Sequence, residues 1–443
     1  MTSRPVAMAR TVPALGLVGV ALLTALSLTL RPPGLFAAVI GVALVCPWQG
    51  WVAQRLEAAG LSTKVRRFTG VAVLLVAAAT NLALGGQLDG HLLYGGDYHT
   101  YYIGALVGAQ HGWGNLFDIH LQSHAWQASP GATFEFLPYL NTPPTAWVVV
   151  PLLPLAYASG YYTFIAVMLA IGVTVGWMVA PATGRGRLLL LLVCAATWEV
   201  VSSFAEGQNI MVGVLAIALC WRLLVAQRRV LAGLALAVIT LRPNATFLVP
   251  LALLVAGERR VFLAWLGATT AIGLAVLASL GPHGVQQFVE LAVFVRRTHP
   301  AAVLLSLQHV IGAGLFAWAL QLILGLAAAV YGARRARGNA AMVICAGLLG
   351  SLLLSPYMHF QDFLPPLAIL AILVIHDRSQ GAMVILLLML AVAPPGWAYA
   401  DAWPLAFIAV ELVWLSWLLL RGREIHRKFP VGPQNRHRVL GQA

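Results

Sequence analysis

The sequence predicts an all-α polytopic membrane protein with about 12–14 transmembrane helices, and three observations carry that prediction. The 443 residues are 60% hydrophobic and 9% charged, with a mean hydropathy of +0.85, which excludes an ordinary soluble domain. Apolar runs of about 20 residues recur along the whole chain, each long enough to cross a hydrocarbon core of roughly 30 Å as a helix. The alternation typical of barrel strands is absent. Arginines gather in the short turns between the runs, as the positive-inside rule expects. The net charge of +13 therefore reads as contact with anionic membrane lipid, and nucleic acid is not an expected partner. Cys46, Cys194, Cys220 and Cys345 all lie within apolar runs, so they form neither a disulfide framework nor a metal-ligand pattern.

Arg4 and Arg10 place the N-terminus in the cytoplasm. The first run, about 11–30, is too long for a signal-peptide core and reads as an uncleaved span. A second span at about 34–53 returns to a basic cytoplasmic loop with Arg55, Lys64, Arg66 and Arg67, and a third at about 68–86 leads out. Residues 87–142 carry Asp89, Asp97, Asp118, Glu135 and five histidines but no Lys or Arg, which assigns them to the outer face. The apolar piece 143–156 is too short and proline-rich to span, and reads as a helix lying partly in the outer leaflet. Further spans are expected at about 157–180, 187–205 and 208–226. Two half-length segments, 230–241 and 245–257, meet at Leu241-Arg242-Pro243-Asn244. A span at about 261–280 precedes a second outer loop, 281–311, and five more spans lead to a basic cytoplasmic tail.

This threading brings the unusual polar residues to one face. The first outer loop supplies Asp97, flanked by His99 and by Tyr94, Tyr98, Tyr101 and Tyr102, together with Glu135. Later turns supply Glu206, Gln208 and Asn209; Arg242 and Asn244; Glu290, Arg296, Arg297 and His299; and Tyr357, His359, Gln361 and Asp362. Polar groups at membrane depth are costly and usually line a water-filled cavity or a site. Asp97 also suits the cap of a helix beginning at Tyr98. Arg242 suits either an anion site beside a broken helix or a side chain snorkelling to headgroups.

Five segments, in order, resemble glycosyltransferase family 87, the polyprenol-phosphate-mannose-dependent α-mannosyltransferases of the GT-C class. They are GGDYHTYYIGALVGAQHGWGNLFD (95–118), TPPTAWVVVPLLPLA (142–156), EGQNIMVGVLAIAL (206–219), LAGLALAVITLRPNATFLVPLALL (231–254) and LLSPYMHFQDFLPPLAIL (353–370). The resemblance implies a GT-C-type core over 68–377 that includes outer loops 87–156 and 281–311. It leaves 1–67 and 378–443 as added helices with their basic segments. It implies Asp97 as the general base of the first outer loop, His359 as the histidine of a late outer turn, and Arg242 as the basic residue before proline. The family's Tyr-Pro-Pro is replaced here by Asn141-Thr142-Pro143-Pro144, with Tyr139 the nearest tyrosine.

The implied reaction moves a hexose, mannose by resemblance, from a polyprenyl-phosphate sugar donor to a glycolipid, lipoglycan or glycan acceptor. Phosphate leaves without a proton, so one base and one cation suffice, unlike the two carboxylates of glycosidases. Asp97 would be the base. Arg242, with Arg296 and His359, would bind the donor phosphate. Tyr98, Tyr101, Tyr102, Glu135, Gln208, Asn209, Asn244 and Asp362 would contact substrate. No cofactor and no metal are expected; no HExxH spacing is present. The expected location is a bacterial plasma membrane, with both termini cytoplasmic and the site extracytoplasmic. The rival readings are a transporter, which would place its polar site near the midplane within inverted repeats, and a lipid or polysaccharide flippase or polymerase.

Overall fold

The computed structural model describes residues 34–46, 48–92, 96–130, 136–180, 184–298, 306–312, 314–355, 358–392 and 403–428. The expected first span, Glu135, Tyr357 and the side chain of Arg296 lie outside the described residues. Among the described residues there are helices and turns and no β-strand. Thr63–Gln87, Tyr157–Val179, Arg259–Val295 and Leu315–Arg335 are long and apolar enough to cross a membrane, and Gly184–Ala196 with Trp198–Ala205 forms a fifth crossing if that pair, bent by 66°, is one span. Six further apolar helices among the described residues are 10–17 residues long. The chain is thus a multi-pass membrane protein in which several expected crossings appear as short helices. Their peripheral neighbours expose apolar side chains, Phe68 at 81% and Leu315 at 87%, as a lipid-facing surface requires.

The two largest departures from the expected boundaries have local causes. Helix Thr63–Leu92 starts before and ends after the expected span, because the Gly-Gly pair and the polar residues behind it leave the backbone hydrogen bonds unbroken. Residues 259–298 are helical except at Gly281, where φ is 60° and ψ is −178°. Pro282 then opens a second helical stretch, where its missing N–H costs nothing. Much of the expected loop 281–311 is therefore helix.

Helices 340–354, 364–375 and 380–392 are buried along almost their whole length and form the centre. Small residues let backbones meet there: a Cβ on Gly347 would lie 2.5 Å from Val249 Cα, and one on Gly350 2.7 Å from the Gly325 carbonyl oxygen. Close approach at small residues is the usual means of packing helices in lipid. The bend at Thr197 frees the Ala196 carbonyl, which accepts from the buried Asn81 amide at 2.7 Å; in lipid such a group needs a protein partner.

A second break matters more. Helix Arg229–Ala237 tightens into a 3-10 turn at Val238–Leu241, and the chain re-enters helix only at Val249–Ala256. Pro243 explains the break, since proline excludes helical geometry at the residue before it; Arg242 is extended at φ −150°, ψ 85°. Threonine hydroxyls take up the freed carbonyls: Thr142 Oγ1 donates to Thr240 O at 3.1 Å, and Thr145 Oγ1 to Leu241 O at 3.1 Å. Both threonines belong to the segment around the short helix Pro143–Val149. Ser351 Oγ accepts from the Leu248 N–H at 2.8 Å on the other side. The break is held open by other parts of the protein, with Arg242 at its apex.

Candidate active site

Asp97 lies in the first turn of helix Gly96–His111. Its N–H and that of Tyr98 both donate to the Glu206 carbonyl, at 2.9 and 3.2 Å. The turn Glu206–Asn209 therefore caps this helix through its backbone, which leaves the Asp97 carboxylate free of that task. Gly207 makes the approach possible: its φ is +70°, and a Cβ there would sit 2.5 Å from Tyr98 Cβ. Residues 109 apart in sequence are thereby locked together.

The side chains of the same turn reach Arg242. Its Nη1 donates to Gln208 Oε1 at 2.8 Å and its Nε to Asp362 Oδ1 at 3.0 Å. The Asp362 side chain is fully buried and that of Arg242 is 11% exposed. Asp362 Oδ2 accepts from the His359 backbone N–H at 3.0 Å, which folds the His359 turn onto the pair. Gln208 also hydrogen-bonds to the Asp97 carboxylate, and its Nε2 donates to Glu206 Oε2 at 3.1 Å. Gln361 Nε2 donates to the same oxygen at 2.6 Å. One amide, Gln208, thus bridges a guanidinium to two carboxylates.

Burial decides the electrostatics. It pushes the Asp97 carboxyl above its ordinary value, against the opposing pull of Arg242, His359 and Gln208. Glu206 is pushed up to about 8, by burial first and by the Asp97 charge second. Burial lowers His359, although Asp362 and Asp97 favour its charged form. Burial alone would lower Arg242, but Asp362, Tyr101 and Asp97 more than offset that, so it stays charged. The cluster contains a cation with Nη2 left over from its two bonds, a half-buried carboxylate whose basicity is raised, and a neutral imidazole.

Of the other expected site residues, Tyr101 belongs to the cluster: it interacts with Asp97 and Arg242, and its hydroxyl accepts from the Asn209 backbone N–H. Asn209 is buried, and its side chain donates to Thr145 Oγ1 at 3.4 Å. Tyr98 instead turns into an aromatic cluster, with ring centroids 5.7 Å from Tyr157, 5.6 Å from Tyr161 and 5.2 Å from Phe164. Tyr102 packs at its edge. Asn244 is half-buried in the turn after Pro243. Arg297 is exposed. Tyr139 is fully buried, and its hydroxyl is used within its own turn, donating to Thr142 O at 2.6 Å and accepting from Ala146 N–H at 3.1 Å. Asp118, rather than Asp97, is a side-chain helix cap, accepting from His120 and Leu121 N–H. His120 and His124 stand four residues apart on helix Ile119–Ala128, but among the described residues no group of three His, Cys, Asp or Glu is arranged to hold a metal ion.

Glu206 and Gln361 were legible only as polar residues at turns; their meeting across 155 residues was not. Thr142 and Thr145 carried no sequence signal beyond flanking the proline pair.

Residues 139–356 match the family model of glycosyltransferase family 87. No curated protein and no solved structure matches the chain. The matched segment contains Gln208 and Arg242, and the flanking Asp97, His359 and Asp362 join it through the contacts above. By this match residues 139–356 of the chain belong to glycosyltransferase family 87.

Proposed function

We propose that this glycosyltransferase moves a hexose, mannose by its resemblance to the polyprenol-phosphate-mannose users, from a polyprenyl-phosphate donor to an acceptor hydroxyl on the extracytoplasmic face of a bacterial plasma membrane. The observation that carries this reading is the fork of Arg242 on Gln208 and Asp362, with the Asp97 carboxylate bonded to the same Gln208. A base and a phosphate-binding cation would then be held side by side through a single amide.

In the proposed reaction Asp97 takes the proton of the acceptor hydroxyl. The acceptor oxygen forms a bond to the anomeric carbon as the bond from that carbon to the phosphate oxygen breaks. The electron pair leaves with polyprenyl phosphate, whose developing charge Arg242 stabilises. A single displacement inverts the anomeric carbon. Arginine suits this task because its planar fork presents five donors and stays charged when buried. Tyr101, Asn209 and His359 belong to the same cluster and would contact the sugar or phosphate, with Asn244 and Arg296 as further candidate contacts.

Purified protein in lipid nanodiscs, given labelled polyprenyl-phosphate mannose and a delipidated cell-envelope acceptor fraction, tests the reading. Label appearing in a glycoside stable to the mild acid that cleaves the donor, with release of polyprenyl phosphate, is the expected result. Uptake of label into vesicles without any new glycoside would instead support a transporter or flippase.

A further inference from the structure

The base has a neighbour that the proposed mechanism does not use. Glu206 lies in the turn that caps the Asp97 helix, and one of its carboxyl oxygens, Oε2, accepts from two amides, Gln208 Nε2 at 3.1 Å and Gln361 Nε2 at 2.6 Å. Three carboxyls, Asp97, Glu206 and Asp362, stand around one guanidinium, Arg242, which is already paired with Asp362 at 3.0 Å. With every carboxyl ionised and His359 neutral, the cluster carries two uncompensated negative charges. Such a cluster would face the anionic phosphate of a lipid-linked donor. Like charges at short range in a buried site do not all ionise; one takes a proton.

We propose that Glu206 is the positioning residue of the base: it holds the one proton of an Asp97–Glu206 carboxyl pair, keeps Asp97 the ionised member, and admits the anionic donor only while it remains neutral. This rests on the function proposed above and adds to it the residue that sets the pH range. Oε2 is committed as an acceptor to two amides, so the proton belongs on Oε1. The charged groups acting on Glu206 are Asp97 on the Gly96–His111 helix and Arg242 at the helix break; Tyr101 on the same helix and His359 and Asp362 on the late turn act on Asp97. Tyr161 approaches from the Tyr157–Val179 helix, donating to the Ala205 carbonyl at 3.1 Å. Of these only Arg242 is a standing cation. The direction of the Glu206 shift, up to about 8 through burial and then Asp97, agrees with this geometry.

The test is the pH dependence of donor KM and kcat for wild type and two variants. Wild type is expected to show a donor KM that rises as pH passes about 8, because an ionised Glu206 repels the donor phosphate. Glu206→Gln, which copies the neutral acid, is expected to lose that rise while transfer at neutral pH falls by up to about tenfold, the worth of one rearranged hydrogen bond. Gln361→Ala removes an amide that favours the carboxylate, so the rise is expected to move to higher pH. A structural role for Glu206 would move neither limb. A wild-type donor KM flat between about pH 7 and 9, or a rise that persists in Glu206→Gln, or one unmoved in Gln361→Ala, would overturn the proposal; the first and third hold even if Glu206→Gln does not fold. Wild-type protein that transfers nothing from any polyprenyl-phosphate hexose overturns the function itself, whereas transfer with unaltered limbs overturns the role of Glu206 alone.

Discussion

Arg242 Nε donates to Asp362 Oδ1 at 3.0 Å, joining residues 120 apart in sequence inside a buried cluster. Arg242 sits at a helix break and Asp362 at the start of a late helix, so the pair fixes the width of the site between them. The same guanidinium holds Gln208, and the Gln208 turn caps the helix that carries Asp97. Under the proposed function, donor-phosphate binding and base placement would therefore be linked through one arginine.

Separating those two duties is possible by mutation. Arg242→Lys keeps the charge but not the fork, and is expected to raise the apparent donor KM by about tenfold. Arg242→Ala should do more and also destabilise the protein by about 3–5 kcal/mol, because Asp362 is left as a buried, uncompensated charge. The double variant Arg242→Ala/Asp362→Ala is expected to recover most of the melting temperature and none of the donor use. Donor KM unchanged in Arg242→Ala would mean that the guanidinium serves lipid headgroups instead.

Acid inhibition should set in early. The Asp97 carboxyl is raised above its ordinary value of 3.8, and the base works only when ionised. Activity is therefore full above its folded-state pKa and lost as pH falls through it, with a midpoint above the ordinary carboxylate range. A kcat profile flat down to about pH 4 would contradict this assignment.

Stability should show the opposite sign at Glu206. Its folded pKa is raised to about 8 from an ordinary 4.5, so its contribution is fully present below about 4.5 and is lost as pH rises through about 8. Glu206→Gln is therefore expected to melt higher than wild type above about pH 8 and to converge with it in mild acid. Thermal melts across that range read the difference; parallel curves would argue against a protonated Glu206.

Gly207 is the hinge of the arrangement. An added Cβ meets Tyr98 Cβ at 2.5 Å, and φ of +70° strains any L side chain. Gly207→Ala is expected to cost about 1–3 kcal/mol and to depress transfer further than the lost stability explains, since it pushes the Asp97 helix from its cap. A variant with wild-type melting and turnover would show that the turn does not place the base.

Much of this was legible residue by residue. Hydropathy and arginine placement announced the membrane helices, Pro243 announced the broken one, and the acidic residue at Gly96-Asp97-Tyr98 stood out against a chain with 14 acidic side chains. What stayed hidden were contacts between distant turns. Nothing in EGQN shows that Gln208 meets Arg242, 34 residues on, or that Gln361 meets Glu206. Tyr98 illustrates the converse: its place beside Asp97 suggested substrate contact, but helical geometry turns successive side chains about 100° apart, so Tyr98 packs against Phe164 while Tyr101 faces the cluster. The helix beyond Gly281 was hidden because glycine and proline mark a break without saying whether helix resumes.

Transfer from labelled polyprenyl-phosphate mannose by wild type and Asp97→Asn, with donor binding and melting measured on the same preparations, tests the assignment of the base most directly. Asp97→Asn is expected to melt and bind donor like wild type while transfer falls by about 10²–10⁴-fold. Near-normal turnover by a well-folded Asp97→Asn protein would contradict the account.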